Sequence, residues 1–177
     1  MRGYSIPSIV FVLVLVVAGG IAHATTMLPL SLDDLVDRSD VVAHVRVGDV
    51  RIVQRADAPF RATELVVVEA FQGARRGDVL ELWQRGDGRV FVVGDPMLEP
   101  GQEGLAFLRR VDGRIYLTAL AQSFWWIDRQ SGEATVRRDL RSINMVLINA
   151  PRVLPPDSGT WANLRELVLD AVTGVSR

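Results

Sequence analysis

Hydrophobic and polar residues alternate along much of the chain between positions 41 and 138. At the start of this region Val41, Ala43, Val45 and Val47 occupy every second position, and His44 falls on the opposite side. A period of two residues is typical of a strand with one buried face. Alternation, or a short apolar run between turn residues, predicts eight strands in all. They are residues 41–53, 63–71, 78–84, 90–93, 104–111, 114–120, 123–128 and 134–138.

Turn residues separate these predicted strands. Asp112-Gly113 predicts a tight hairpin, because Asp-Gly favours the left-handed turns that join antiparallel strands. Arg85-Gly-Asp-Gly88 carries the same signal. Residues 94–104, rich in glycine, proline and acidic residues, predict the longest loop.

Two helices are predicted on either side of the strands. Ser31 is a suitable N-cap for a helix of about two turns, and acidic residues in its first turn favour the helix dipole. Thr160 caps a longer helix whose apolar residues share one face, and Gly174 is its predicted stop.

The order of these elements predicts a mainly β fold, either a small barrel or a sandwich, with a short N-terminal helix and a C-terminal amphipathic helix. The barrel domain is expected over residues 25–138. Residues 139–177 are expected to form a proline-containing linker and the C-terminal helix, which packs on the barrel.

The first 24 residues have the features of a Sec signal peptide. Arg2 precedes an apolar run of ten residues, 9–18, and Ala22-His23-Ala24 has the small side chains that signal peptidase accepts. Cleavage after Ala24 would place the domain in the periplasm or outside the cell. The alternative is an uncleaved membrane anchor, for which the apolar run is short compared with the roughly 20 residues of a spanning helix.

The composition excludes several classes of function. Cysteine is absent, which excludes disulfides, cysteine-ligated metals, thiol catalysis and a lipoprotein anchor. All 20 basic residues are arginine, so lysine-dependent chemistry is excluded as well. The net charge is −1 and the pI about 6.1, whereas nucleic-acid binders usually carry a basic patch and a high pI. Nucleic acid is therefore not expected as a partner.

Several segments together resemble a family of exported bacterial proteins with an OB-like barrel. These segments are LVDRSDVVAHVRV, ATELVVVEAFQG, GDVLELWQRGDG, PGQEGLAFLRR and IYLTALAQSFWWID, within residues 28–128. The resemblance extends distantly to the netrin and metalloproteinase-inhibitor type of domain. It implies an OB-like barrel and carries no catalytic motif. Inhibitors of that type present an N-terminal cysteine to the protease zinc, and this chain has none.

Candidate catalytic residues are few. Once the signal peptide is removed, His44 is the single histidine, and it stands without a nucleophile-elbow or HExxH motif. The acidic residues Asp95, Glu99 and Glu103 share one predicted loop, but their spacing matches no calcium loop. We therefore predict no catalytic residue, no metal ligand and no cofactor.

Consecutive aromatic residues give the best indication of binding. Phe124, Trp125 and Trp126 follow one another on a strand, so their side chains cannot all face the same side. At least one of them faces away from the core unless the C-terminal helix covers that face through Trp161. We take Trp125, Trp126 and His44 as the candidate binding residues.

The sequence thus predicts an exported, non-catalytic binding domain whose partner is a protein or an envelope or extracellular polymer. Membrane contact is expected only if the signal segment is retained. Two other functions stay open: a regulator or inhibitor of a secreted peptidase, and a hydrolase that uses carboxylates alone.

Overall fold

The alternating segments form strands in the structure, a computed structural model that describes residues 25–130, 132–146 and 153–174. The predicted signal peptide, residues 1–24, lies outside the described residues. The strands are β1 (Thr25–Met27), β2 (Val41–Gln54), β3 (Pro59–Gln72), β4 (Val79–Arg85), β5 (Glu103–Val111), β6 (Arg114–Leu117), β7 (Phe124–Asp128), β8 (Thr135–Arg137), β9 (Ile143–Met145) and β10 (Ser158–Thr160). The α-helices are α1 (Leu32–Asp37) and α2 (Trp161–Thr173), and a 3-10 helix spans Leu120–Ser123.

Five of the strands close into a barrel. The pairing order is β5, β2, β3, β4 and β6, and β6 then pairs back onto β5. All contacts are antiparallel except that between β4 and β6, which is parallel and joins Leu82 to Ile115. A meander of three strands followed by a hairpin that completes a five-stranded barrel is an OB-like arrangement. The prediction of an OB-like barrel is therefore confirmed, and the sandwich alternative is not needed.

Alternate residues of the barrel strands fill its interior. Val41, Ala43, Val45 and Val47, whose spacing predicted a buried face, all point into this core. The other members are the buried residues Leu65, Val67, Leu80, Leu82, Leu98, Ala106, Leu108, Ile115, Leu117 and Phe124. Because the barrel is small, these side chains fill it completely.

The sheet continues beyond the barrel through β7, β8 and β10, which follow β5 in that order. This extension gives the sheet a second apolar face, outside the barrel, and α1 and α2 cover it. Buried residues of this outer core include Leu35, Val42, Leu105, Phe107, Trp125, Ile127, Val136, Trp161, Leu164 and Val168. The predicted packing of the C-terminal helix is observed, and two cores share the strands β2, β5 and β7.

Both helices have the predicted caps. The Ser31 side chain accepts a hydrogen bond from the Asp34 amide at 3.0 Å, and the Asp34 carboxylate accepts from Ser31 in return. Thr160 accepts from the Asn163 amide, and Gly174 ends α2 in the left-handed conformation. No helix among the described residues is long and apolar enough to cross a membrane.

Two segments differ from the sequence prediction. Residues 90–93 do not form a strand; they contribute one bridge, between Phe91 and Gly86. The Asp87 carboxylate accepts hydrogen bonds from the amides of Arg89 and Val90, which favours a turn at this position. The segment expected to be a linker contains the short strands β9 and β10, which pair with β1 and β8.

Candidate functional site

Trp125, one of the predicted binding residues, is completely buried in the outer core. Its ring lies 5.6 Å from that of Phe107, and its indole N–H donates to the Pro156 carbonyl at 2.9 Å. The Arg138 guanidinium stacks over the ring at 4.4 Å. This position gives Trp125 a structural role and removes it from the candidate binding surface.

His44 is also buried, with 3 % of its side chain exposed. Its ring packs against Trp161 of α2 at 5.1 Å, and its Nε2 lies 3.0 Å from the Glu103 carboxylate. Burial lowers the pKa of the His44 imidazole, although Glu103 acts in the opposite direction. His44 is therefore held within the fold and is not part of an open binding surface.

Glu103 is the centre of an ion-pair cluster on β5. Arg46 donates to its carboxylate at 2.8 Å and Arg129 at 3.1 Å, in addition to the contact with His44. Burial alone would raise the pKa of Glu103, but the hydrogen bonds from Arg46, Arg129 and His44 together outweigh burial and lower the pKa to about 2. This carboxylate is consequently ionised and is hydrogen-bonded to all three neighbours.

Trp126 points to the opposite side of β7 from Trp125 and is half-buried at the rim of the barrel. Its ring meets Phe124 edge-on at 5.2 Å, and the Arg137 guanidinium lies over it at 5.5 Å. Arg137 belongs to the neighbouring strand β8, paired with Trp126 across the sheet. His44 and Trp126 each line a surface depression, but of the three predicted binding residues Trp126 is the one whose side chain is partly exposed.

Two depressions meet at Trp126. The larger has a volume of about 660 Å³ and the smaller about 290 Å³, and Gln102, Trp126 and Arg137 line both. We call the two together the Trp126 cleft. Sites for small ligands typically measure about 300–1,000 Å³, so the cleft is large enough to hold one.

Polar side chains dominate the lining of the Trp126 cleft. Those of the larger depression are Gln102, Glu103, Asp128, Arg129, Gln130 and Arg137. Those of the smaller depression are Asp95, Gln102, Arg137, Asp139, Arg141 and Ser142. Several charges are already paired: Arg141 donates to Asp139 at 2.6 Å, and Arg129 to Glu103. The hydrogen bonds from Arg141 lower the pKa of Asp139 to about 2.

Asp95 has a different environment within the smaller depression. Burial raises its pKa from the ordinary 3.8 to about 6, despite a favourable interaction with the Gln84 side chain. Gln84 donates to the Pro96 carbonyl at 2.9 Å, and its side-chain oxygen is buried without a hydrogen-bond partner among the described residues.

Asp95 gives a pH-dependent prediction. Between pH 4 and 6 the folded protein binds a proton on Asp95 that the unfolded chain does not hold, so this residue contributes less stability as the pH rises through that interval. We expect Asp95→Asn to raise the free energy of unfolding by about 1–2 kcal/mol at pH 8, with the gain vanishing near pH 4. Urea denaturation of both proteins across this range measures the difference. A gain that is independent of pH would contradict the assignment.

Sequence reasoning found part of the Trp126 cleft. Trp126 was predicted from its aromatic neighbours, whereas Gln102, Arg137 and Arg141 carried no recognisable signal. The acidic loop that the sequence singled out is divided in the structure: Asp95 lines the smaller depression, Glu99 is exposed, and Glu103 joins the ion-pair cluster. Within the described ranges, no group of His, Asp or Glu residues is arranged to hold a metal ion.

No protein-family profile matches the chain, and no curated protein is significantly similar to it.

Proposed function

We propose that this protein is an exported, non-catalytic binding domain and that its ligand occupies the Trp126 cleft. The observation that supports this proposal is the position of Trp126, a half-buried ring where two polar depressions meet. A tryptophan placed in this way offers a ligand a large apolar surface, and the surrounding polar groups can fix its orientation. The signal-like sequence of residues 1–24 supports export by the Sec pathway.

The paired charges of the cleft favour binding over catalysis. Both oxygens of the Asp139 carboxylate accept from Arg141, and Glu103 is held by three donors. A carboxylate that attacks a substrate or activates water needs a free lone pair directed at the reacting atom. Side chains that are already fixed by hydrogen bonds instead provide a rigid surface, which lowers the entropy cost of binding.

One observation makes a carboxylate hydrolase the second candidate. Asp95 and Asp139 line the same depression, and their pKa values are about 6 and about 2. Glycosidases use one protonated and one ionised carboxyl group in this way, and Asp139 would act as the ionised group once Arg141 has released one of its oxygens. Release of reducing ends from neutral polysaccharides, abolished in both Asp95→Asn and Asp139→Asn, would favour this second function over simple binding.

Affinity capture with a matched tryptophan control tests the binding function. The full chain, exported from an expression host and immobilised through a C-terminal tag, is exposed to the envelope and secreted fractions of its native host. We expect a ligand that the wild-type protein retains and Trp126→Ala loses at least about tenfold. Bound protein is identified by mass spectrometry and bound glycan by sugar analysis.

Trp83 provides the control for this experiment. It is half-buried like Trp126 and also has a guanidinium, that of Arg114, over its ring at 4.7 Å, but it lies on β4 outside the cleft. Trp83→Ala should therefore retain the ligand. Equal loss in both variants, or no ligand that depends on Trp126, would show that the cleft is not the binding site.

A further inference from the structure

The chemistry of the Trp126 cleft indicates a class of ligand. We propose that the cleft binds an uncharged polysaccharide chain, with one sugar ring stacked against Trp126 and its neighbours extending into the two depressions. This inference rests on the proposed binding function and specifies the ligand. It follows from the accessible aromatic ring, the charge balance of the lining, the scarcity of exposed apolar side chains and the presence of two adjoining depressions at this ring.

The aromatic ring suits a sugar. A pyranose ring has a face of C–H groups and an equator of hydroxyl groups, so it packs on an indole and hydrogen-bonds around its edge. Trp126 is held in place from one side by Phe124, at 5.2 Å. Arg137, which lies over the indole, is an exposed side chain that can turn aside and donate to hydroxyl oxygens.

The charges of the cleft favour a neutral ligand. Arg129 is paired with Glu103, and Arg141 with Asp139, so these four side chains contribute no net charge. Arg137, Asp95 and Asp128 bring the lining to three arginines and four carboxylates, and Arg46, which also pairs with Glu103 beside the cleft, makes the number of arginines four as well. A polyanion requires a surplus of arginine that releases its counterions, and a polycation requires a surplus of carboxylate. The cleft has neither surplus.

The cleft exposes fewer apolar side chains than a binding site for a protein partner typically does. Protein interfaces typically have a core of buried aromatic and aliphatic side chains surrounded by a polar rim. Among the cleft-lining residues, Met97 is the one large apolar side chain more than a third exposed, at 42 %. Planar hydrogen-bonding groups such as Gln102 and Arg137 surround Trp126 instead, and these match vicinal hydroxyl groups.

The shape of the cleft favours a chain over a single sugar. Gln102, Trp126 and Arg137 line both depressions, so a ligand that contacts Trp126 has access to the two of them. Volumes of about 660 and 290 Å³ leave room for rings before and after the one at Trp126. A ligand of several rings should therefore bind more tightly than a disaccharide of the same linkage.

Isothermal titration with neutral oligosaccharides of defined linkage tests this proposal. The probes are cellohexaose, chitohexaose, maltohexaose and laminarihexaose, each with its disaccharide, and heparin as the charged control. We expect at least one hexasaccharide to bind, its disaccharide to bind at least about tenfold more weakly, and heparin not to bind. Trp126→Ala should abolish this binding, whereas Trp126→Phe and Trp83→Ala should retain it.

Two controls make the result decisive. Thermal unfolding of each variant shows whether Trp126→Ala is folded, and Trp126→Phe retains an aromatic ring at this position. The neutral polysaccharide fraction of the native host's envelope, run in affinity electrophoresis, extends the panel to linkages outside it. Absence of binding to all four hexasaccharides and to this fraction would overturn the proposal.

The outcome also separates this inference from the proposed function. If affinity capture yields a protein or a charged polymer that depends on Trp126 while no neutral sugar binds, the cleft is a binding site but its ligand is not an uncharged polysaccharide. If no ligand of any kind depends on Trp126, both proposals fail.

Discussion

Replacing Trp125 by alanine is expected to lower the free energy of unfolding by about 4 kcal/mol. The Trp125 side chain is fully buried and belongs to the core that joins the sheet to α2. Its removal leaves a large cavity against Phe107 and takes away the ring on which Arg138 stacks. Domains of this size are typically stable by only about 5–15 kcal/mol, so the loss would be a large fraction of the total.

Urea denaturation followed by tryptophan fluorescence and circular dichroism measures this effect. Trp125→Phe keeps most of the buried volume but loses the hydrogen bond to Pro156, so we expect an intermediate cost of about 1–2 kcal/mol. Trp126→Ala, at a half-buried position, should cost less than Trp125→Ala. If Trp126→Ala were the more destabilising of the two, the assignment of their sides of the strand would be wrong.

Replacing Gly104 by alanine is expected to destabilise the protein by about 3 kcal/mol. Gly104 lies on β5 opposite Trp126, where the Phe124 ring packs directly against its backbone. An added Cβ would lie 2.8 Å from the Trp125 carbonyl oxygen and closer still to the Phe124 ring. The methyl group therefore cannot be accommodated unless the strand or the ring moves, and both belong to the barrel core.

Gly159 is the matched control for this prediction. It also lies in a strand, β10, but a Cβ at this position would meet no atom within 4 Å. Gly159→Ala should therefore have an effect within about 0.5 kcal/mol, of either sign. The comparison is made by thermal and urea unfolding of the two variants and the wild type. Similar stability of Gly104→Ala and Gly159→Ala would contradict the tight packing of Phe124 on β5.

The fold could be predicted from sequence where it depends on local signals. A period of two residues marked β2 and β4, and a short apolar run marked β5, which has both faces in a core. Asp112-Gly113 marked the β5–β6 hairpin, and both residues do adopt positive φ angles, 49° and 75°. The barrel closure could not be derived from these patterns, because the parallel contact between β4 and β6 joins residues distant in sequence and has no local signature.

The candidate site was predictable to a smaller extent. Strand geometry required that Trp125 and Trp126 face opposite sides, but it could not say which side α2 covers. The partner of His44 is Glu103, 59 residues away, and the guanidinium over Trp126 comes from another strand. Asp95 lies in a loop whose sequence was recognised as acidic, yet its burial is set by tertiary packing. Pairings of this kind depend on the fold and not on spacing along the chain.

The way the sheet ends bears on how this domain could pair with other copies of itself. Because β6 pairs back onto β5, the strand order of the large sheet ends, among the described residues, at the three-residue strand β10. That strand leads directly into α2, so its exposed backbone is short. Long unpaired edges recruit strands from other molecules, and native proteins avoid this by closing or shortening them. At this end the sheet therefore offers other copies a template of three residues for edge-to-edge aggregation.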